Sequence, residues 1–284
     1  MLGGCTTTKK PNNTINDEES KSSITNSNQL KVTIYSLPQK PELKVFWING
    51  NEVLTQSSEP FKTGTTLYSS SNFRDFSVKS KILESDGYYY PDPNNRKLLF
   101  FISFTSKGQT RIWKSQDGGK SWRRVFKEPV NSLTFHPTQM TTIYAVNENH
   151  KTSVELYVSQ DQGETWVKHA EITGAYLVNQ IAVNPKNPQH MLAGARNGLW
   201  FTSDNGNHWI NLFDEAEPTN IVYNPINPKE AYFIGHDKVF RVFDNKITKI
   251  GEYGSIYSLV FKPNSGTAYF LSEDHNINIY AQQI

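Results

Sequence analysis

The sequence is poor in the features that identify chemistry most directly. It has one cysteine in 284 residues, so no internal disulfide can form, and cysteine usage neither supports nor excludes an oxidising compartment. No apolar run approaches the roughly 18 residues that a transmembrane helix needs. Neither sign of charge predominates: 29 Lys+Arg against 27 Asp+Glu leave a formal +2, without the basic excess that marks a nucleic-acid partner. The histidines, His136, His150, His169, His190, His208, His236 and His275, are scattered with none paired at ligand spacing, so no metal site is expected. No cofactor is expected either. A G-x-S-x-G nucleophile elbow is absent. Gly119-Lys120-Ser121 has the ending of a phosphate-binding loop, but Lys114 stands where the first glycine belongs, and the segment leads into a hairpin instead of a helix N-terminus.

What is present is a recurring octapeptide and many aromatics, 13% of the chain. Ser115-Gln-Asp117-Gly-Gly119-Lys-Ser-Trp122 returns as Ser159-Gln-Asp161-Gln-Gly163-Glu-Thr-Trp166 and as Thr202-Ser-Asp204-Asn-Gly206-Asn-His-Trp209, at steps of 44 and 43 residues. A period of that length with strand-like flanks points to a radial β array whose units bury their faces against one another. Each unit carries a β-branched and aromatic run closed by proline, as in Leu133-Thr-Phe135-His-Pro137, Ile181-Ala-Val183-Asn-Pro185, Ile221-Val-Tyr223-Asn-Pro225 and Leu259-Val-Phe261-Lys-Pro263. Proline cannot continue a ladder, so each run is a short strand ending in a turn. Two further apolar runs precede each box and a fourth leaves it. Four strands per unit at this period predict a blade of an all-β propeller.

Residues 67–76 read as a decayed copy, with Ser71 in the place of the aspartate, Phe73 of the glycine and Phe76 of the tryptophan. The last unit shows three strands before the chain stops, and Leu30–Tyr35 is a lone strand at the other end. Pairing the two would close the ring and remove an open sheet edge. Six blades are expected, with seven as the alternative.

In S/T-x-D-x-G-x-x-W the carboxylate accepts backbone N–H groups of its own turn, the glycine supplies a positive φ, and the tryptophan packs beneath the hairpin. The three motifs resemble Asp-box (BNR) repeats, found in sialidases, sortilin-type ectodomains and photosystem II assembly-factor propellers. The likeness in strand pattern covers roughly residues 40–284. It implies that the boxes lie on the blade periphery and that Ser115, Asp117, Gly119, Trp122, Ser159, Asp161, Gly163, Trp166, Thr202, Asp204, Gly206 and Trp209 are structural.

Leu2-Gly3-Gly4-Cys5 resembles the lipobox of bacterial lipoproteins, in which the cysteine becomes the acylated N-terminus. A secretory signal needs a basic n-region and an apolar h-region, and only Met1 and Leu2 precede the glycines. The expectation is that residues 1–5 are the remnant of a signal encoded further upstream. Residues 6–29 are rich in Thr, Asn, Ser and Lys and lack the apolar surface to offset ordering entropy. They read as a disordered tether spanning about 28 Å, followed by the propeller domain at 30–284. Thr6 follows the cysteine where the resemblance puts an acidic residue in proteins retained at the inner membrane, so outer-membrane anchoring is expected.

Sialidase chemistry needs arginines converging on a carboxylate, a tyrosine nucleophile with its glutamate, and an acid. Of Arg74, Arg96, Arg111, Arg123, Arg124, Arg196 and Arg241, most fall on outer strands, and the Phe-Arg-Ile-Pro element of sialidases is missing. No catalytic residue is assigned. The expected function is a non-catalytic, lipid-anchored envelope scaffold for a protein or glycan partner, the alternative being a sialidase-like hydrolase or glycan-binding relative. Candidates for a binding face are Asn179, Gln180, Asn220 and Ser258, which precede inner strands, and Arg196 and His236 in loops leading to third strands. Tyr88-Tyr89-Tyr90 reads chiefly as an inner strand packing both faces, and secondarily as a stacking platform.

Overall fold

Short apolar strands cannot shield both faces within one sheet, so they stack sheet against sheet. The computed structural model describes residues 32–36, 43–49, 52–58, 64–72, 75–82, 86–104, 109–149, 153–252, 254–262, 264–274 and 276–283. Cys5, the expected tether at 6–29, and Phe73 and Arg74 of the decayed box lie outside the described residues.

After β1 (Val32–Ser36), strands follow in fours. The first blade is β2 (Leu43–Asn49), β3 (Glu52–Ser58), β4 (Thr65–Ser70) and β5 (Ser77–Ile82). The second is β6 (Asp86–Pro91), β7 (Leu99–Phe104), β8 (Thr110–Ser115) and β9 (Arg123–Phe126). The third is β10 (Ser132–Phe135), β11 (Ile143–Asn149), β12 (Ser153–Ser159) and β13 (Val167–Thr173). The fourth is β14 (Val178–Val183), β15 (Met191–Ala195), β16 (Gly198–Thr202) and β17 (Ile210–Phe213). The fifth is β18 (Thr219–Tyr223), β19 (Glu230–Gly235), β20 (Lys238–Phe243) and β21 (Lys246–Glu252).

Each blade is an antiparallel meander in sequence order, the architecture of a β-propeller. Blades made of consecutive strands therefore number five, not six or seven. One more four-stranded sheet is composite: β22 (Ser255–Phe261), β23 (Thr267–Asp274) and β24 (Asn276–Gln283) take β1 as their outer strand. Val32 lies opposite Gln282 and Ser36 opposite Asn278. That pairing satisfies backbone groups that β24 would otherwise leave on an open edge. No seventh four-stranded sheet occurs among the described residues.

First strands of successive blades adjoin, β10 with β14, β14 with β18 and β18 with β22, and β22 also adjoins β2. Burial peaks one strand further out. Met191–Ala195 and Glu230–Gly235 are buried throughout, whereas the fourth strands β9 and β17 are exposed or half-buried at every position. The apolar clusters accordingly lie between blades: Phe100, Ile112, Leu133 and Ile143 join the second and third, and Leu192, Leu199, Phe233 and Phe240 the fourth and fifth. Burying each such leucine or phenylalanine contributes about 1.5–3 kcal/mol.

The decayed box is set one residue later than the sequence suggests. Ser70 Oγ donates to Asn72 Oδ1 at 3.0 Å and accepts the Asn72 N–H at 3.3 Å, while Asn72 Oδ1 accepts the Asp75 N–H at 2.9 Å. Asn72, not Ser71, stands in for the aspartate, its Oδ1 taking both the Ser70 hydroxyl and the Asp75 N–H.

Candidate functional site

In an up-and-down blade the turns after the first and third strands share one end, and those after the second and fourth share the other. The boxes follow third strands, so they lie at the first of these ends. In each box the Ser or Thr hydroxyl donates to the aspartate Oδ1 at 2.8 Å, in the Ser115–Asp117, Ser159–Asp161 and Thr202–Asp204 pairs. The same hydroxyl accepts the N–H of Gly119, Gly163 or Gly206 at 2.8, 2.7 and 3.0 Å. The carboxylate accepts the N–H of Ser121, Thr165 and His208 at 3.0, 2.9 and 2.9 Å. Its second oxygen takes the side chains of those residues at 2.6, 2.5 and 2.6 Å. The indole N–H of Trp122, Trp166 and Trp209 returns to the glycine carbonyl at 3.1, 3.2 and 2.9 Å.

These bonds hold the charged form. The hydroxyl and N–H of Ser121 keep Asp117 well below the usual carboxylate range. Asp161 falls to about 2 as the Thr165 and Ser159 bonds outweigh its desolvation, and Asp204 falls to about 2 through its bonds to His208. A carboxylate held so firmly ionised is a poor general acid.

A second device at this end was not foreseen. The residue before the strand-closing proline caps the loop with its own side chain. Asp92 Oδ1 accepts the N–H of Asn94 and Asn95 at 2.7 and 3.0 Å, and Asn184 Oδ1 those of Lys186 and Asn187 at 2.9 and 3.1 Å. Asn224 does the same for Ile226 and Asn227. His136 uses Nδ1, toward Thr138 and Gln139 at 3.2 and 3.0 Å. The loop then clamps the box: the carbonyls of Lys97, Thr141 and Gln189 accept the N–H of Gly118, Gln162 and Asn205 at 2.9, 2.8 and 2.9 Å. The repeated Asp/His/Asn-Pro pairs were the available signal.

The expected binding-face residues divide. Asn179, Gln180, Asn220 and Ser258 lie within first strands, not ahead of them. Gln180 accepts the Ile221 N–H at 2.8 Å and donates to the Ile221 carbonyl at 3.1 Å. Asn220 Oδ1 accepts from Ser258 Oγ at 3.3 Å and from the Leu259 N–H at 3.4 Å. Gln56 does likewise with Tyr89 and Gly87. These amides are latches between neighbouring blades, holding backbone groups that have no ladder partner there. Asn179 donates to Glu217 at 2.8 Å. Arg196 and His236 are exposed in turns at the end away from the boxes, His236 with φ 47. The Tyr triplet splits: Tyr89 is buried against Phe101 and Trp122, while Tyr88 is exposed and meets Phe104 edge-on at 5.4 Å.

Among the described residues, grooves open between blades. One of about 820 Å³ lies between the fourth and fifth blades. Phe201, Tyr223 and Phe243 contribute rings to it, Asn187 and Asn227 amides, and Lys186 and Lys229 charge. His190 meets Phe201 edge-on at 5.4 Å, and the Arg241 guanidinium stacks over Phe243 at 4.9 Å. A smaller cavity of about 250 Å³ lies between the third and fourth blades. Among the described residues no group of three His, Cys, Asp or Glu side chains could hold a metal ion.

Fold and repeats together define a β-propeller of four-stranded blades. No family model matches the chain. A curated xyloglucanase of a Paenibacillus species is 24% identical over 145 residues, covering 46% of this chain and 14% of that protein. The GH74 xyloglucanase from Xanthomonas campestris is similar in structure, with a TM-score of 0.57 at 14% identity, over 81% of this chain and 43% of that one. YCF48 bound to D1 peptide has a TM-score of 0.54 at 9% identity, over 93% of this chain and 100% of that one. This chain thus spans less than half the length of the xyloglucanases it resembles, and at such identities the likeness is one of fold.

Proposed function

We propose that this chain is a non-catalytic, lipid-anchored propeller of the bacterial envelope that binds a glycan or protein partner. One observation carries the reading: the box carboxylates and the first-strand amides are consumed in holding turns and joining blades, while the cleft between the fourth and fifth blades keeps rings, amides and two lysines at its walls. Aromatic surfaces with a few polar groups are what ligand sites present. The six sheets are taken as one closed disc latched by the β1–β24 pairing, with Cys5 as the acylated anchor in the outer membrane.

Glycoside hydrolysis by a carboxylate pair needs one acid kept protonated near neutrality. Burial raises Asp92, but it already accepts two backbone N–H bonds in its turn. The similarity to a xyloglucanase supports a second reading, a glycoside hydrolase relative. Affinity electrophoresis in gels containing xyloglucan, run beside a reducing-end assay and a fluorogenic sialoside panel, separates the two. Retardation without release of reducing ends or fluorophore is expected, weakened by Phe243→Ala. Turnover proportional to protein concentration would replace the binding reading with the hydrolytic one.

A further inference from the structure

The cavity between the third and fourth blades is built differently from the larger groove. Tyr144 lies against two imidazoles, stacked on His136 with ring centres 6.3 Å apart and edge-on to His169 at 6.0 Å. All three line the cavity, with Gln139, Gln160 and Gln189 around them. The hydrogen bonds settle both tautomers. His136 Nδ1 accepts two backbone N–H groups, so in the neutral ring its hydrogen is on Nε2. His169 Nε2 lies 2.9 Å from the Asn205 carbonyl, which can only accept, so Nε2 carries the hydrogen and Nδ1 keeps a lone pair. Beyond these bonds His136 keeps one ring donor and His169 one ring acceptor, beside a phenol able to act as either.

That set excludes several ligands. A transition metal needs imidazole lone pairs, and the only one on His136 is taken by the backbone. An anion would need a cation, and no Lys or Arg lines the cavity. At about 250 Å³ it lies below the roughly 300–1,000 Å³ usual for drug-sized ligands, so it suits one small ring. Resting on the reading of this chain as a binding module, and narrowing its partner to a glycan, we infer that this cavity is a subsite for a single pyranose unit of a neutral glycan. Each sugar hydroxyl both donates and accepts, which matches a wall of mixed imidazole, phenol and amide groups, and the C–H face of the ring suits an aromatic neighbour.

The test is titration of the full chain with glucose, xylose and galactose, following the imidazole ¹⁵N–¹H signals of His136 and His169. Inorganic phosphate and zinc serve as controls. At least one sugar should shift both signals saturably, and the controls should not. Tyr144→Phe, which removes only the hydroxyl, should weaken that sugar about fivefold to tenfold at unchanged melting temperature, the loss expected for one hydrogen bond. Gln160→Ala and Gln189→Ala, at exposed positions, give the same readout without touching the core. The subsite is overturned if no neutral sugar moves the imidazole signals, if zinc or phosphate moves them instead, or if all three variants bind as the parent does. If those variants still bind xyloglucan oligosaccharides with parental affinity, the subsite falls while glycan binding by the chain stands. If the parent binds no saccharide at all, glycan binding falls too.

Discussion

Gly118, the residue before a box glycine, and Gly163, a box glycine, are two left-handed positions of the box turns that differ in what surrounds them. Both have positive φ, +78 and +84. A Cβ added to Gly118 would meet nothing within 4 Å, whereas one added to Gly163 would lie 2.7 and 2.8 Å from Cε1 and Cζ of Phe100. Phe100 is fully buried in the preceding blade, packed against Phe135 at 5.9 Å with Lys114 above its ring, so it has little room to retreat. Left-handed backbone costs an alanine about 1–2 kcal/mol at either site. Overpacking adds about 1–3 kcal/mol at Gly163 alone. Gly118→Ala should therefore lose about 1–2 kcal/mol and Gly163→Ala about 2–5 kcal/mol, a difference worth several degrees in melting temperature for a domain of this size. Urea unfolding, with the slope checked for constancy, measures both. Adding Phe100→Leu to Gly163→Ala should recover part of the difference, as coupled neighbours do. Equal losses for the two glycine variants would refute the claim that the second box is wedged against the neighbouring blade.

Three further outcomes are expected, at an inter-blade latch, at a loop cap and at the N-terminal cysteine. Gln180→Ala leaves the Ile221 N–H and carbonyl without their partner between blades, and should cost about 1–3 kcal/mol in the same unfolding assay. Burial pushes His136 below its ordinary value, so between that lowered value and about 6.5 the unfolded chain binds the extra proton. Stability should be complete above that range and fall as pH drops through it; His136→Asn, borrowing the cap that Asn184 and Asn224 provide, should flatten the dependence in melting temperatures measured from pH 5 to 8. For the anchor, expression with an upstream signal should give membrane fractionation and labelled fatty-acid uptake that Cys5→Ser abolishes; uptake by neither form would end the lipoprotein reading.

The box spacing, with its flanking β-branched runs, was sufficient to read four-stranded blades from sequence, because a period of 44 and then 43 residues and a side-chain alternation of two are both local properties. Local too is the bonding of each box carboxylate, where the partners of Asp117, Asp161 and Asp204 lie within four residues. Three-dimensional packing decided the rest. Gln180 and Asn220 read as candidates for a ligand because the sequence places them just ahead of inner strands, where loops from several blades gather around the central channel. Their actual partners lie 38 to 41 residues away on the adjoining strand, at a distance no sequence window can assign. The one-residue slip in the decayed box came from matching Phe76 to the tryptophan, whereas the turn itself is set by which carbonyl, that of Asn72, reaches the Asp75 amide. The tautomer of His136 is set within its own turn by Thr138 and Gln139, whereas that of His169 depends on the Asn205 carbonyl of the next blade, and the cavity they share with Tyr144 exists only where the two blades meet.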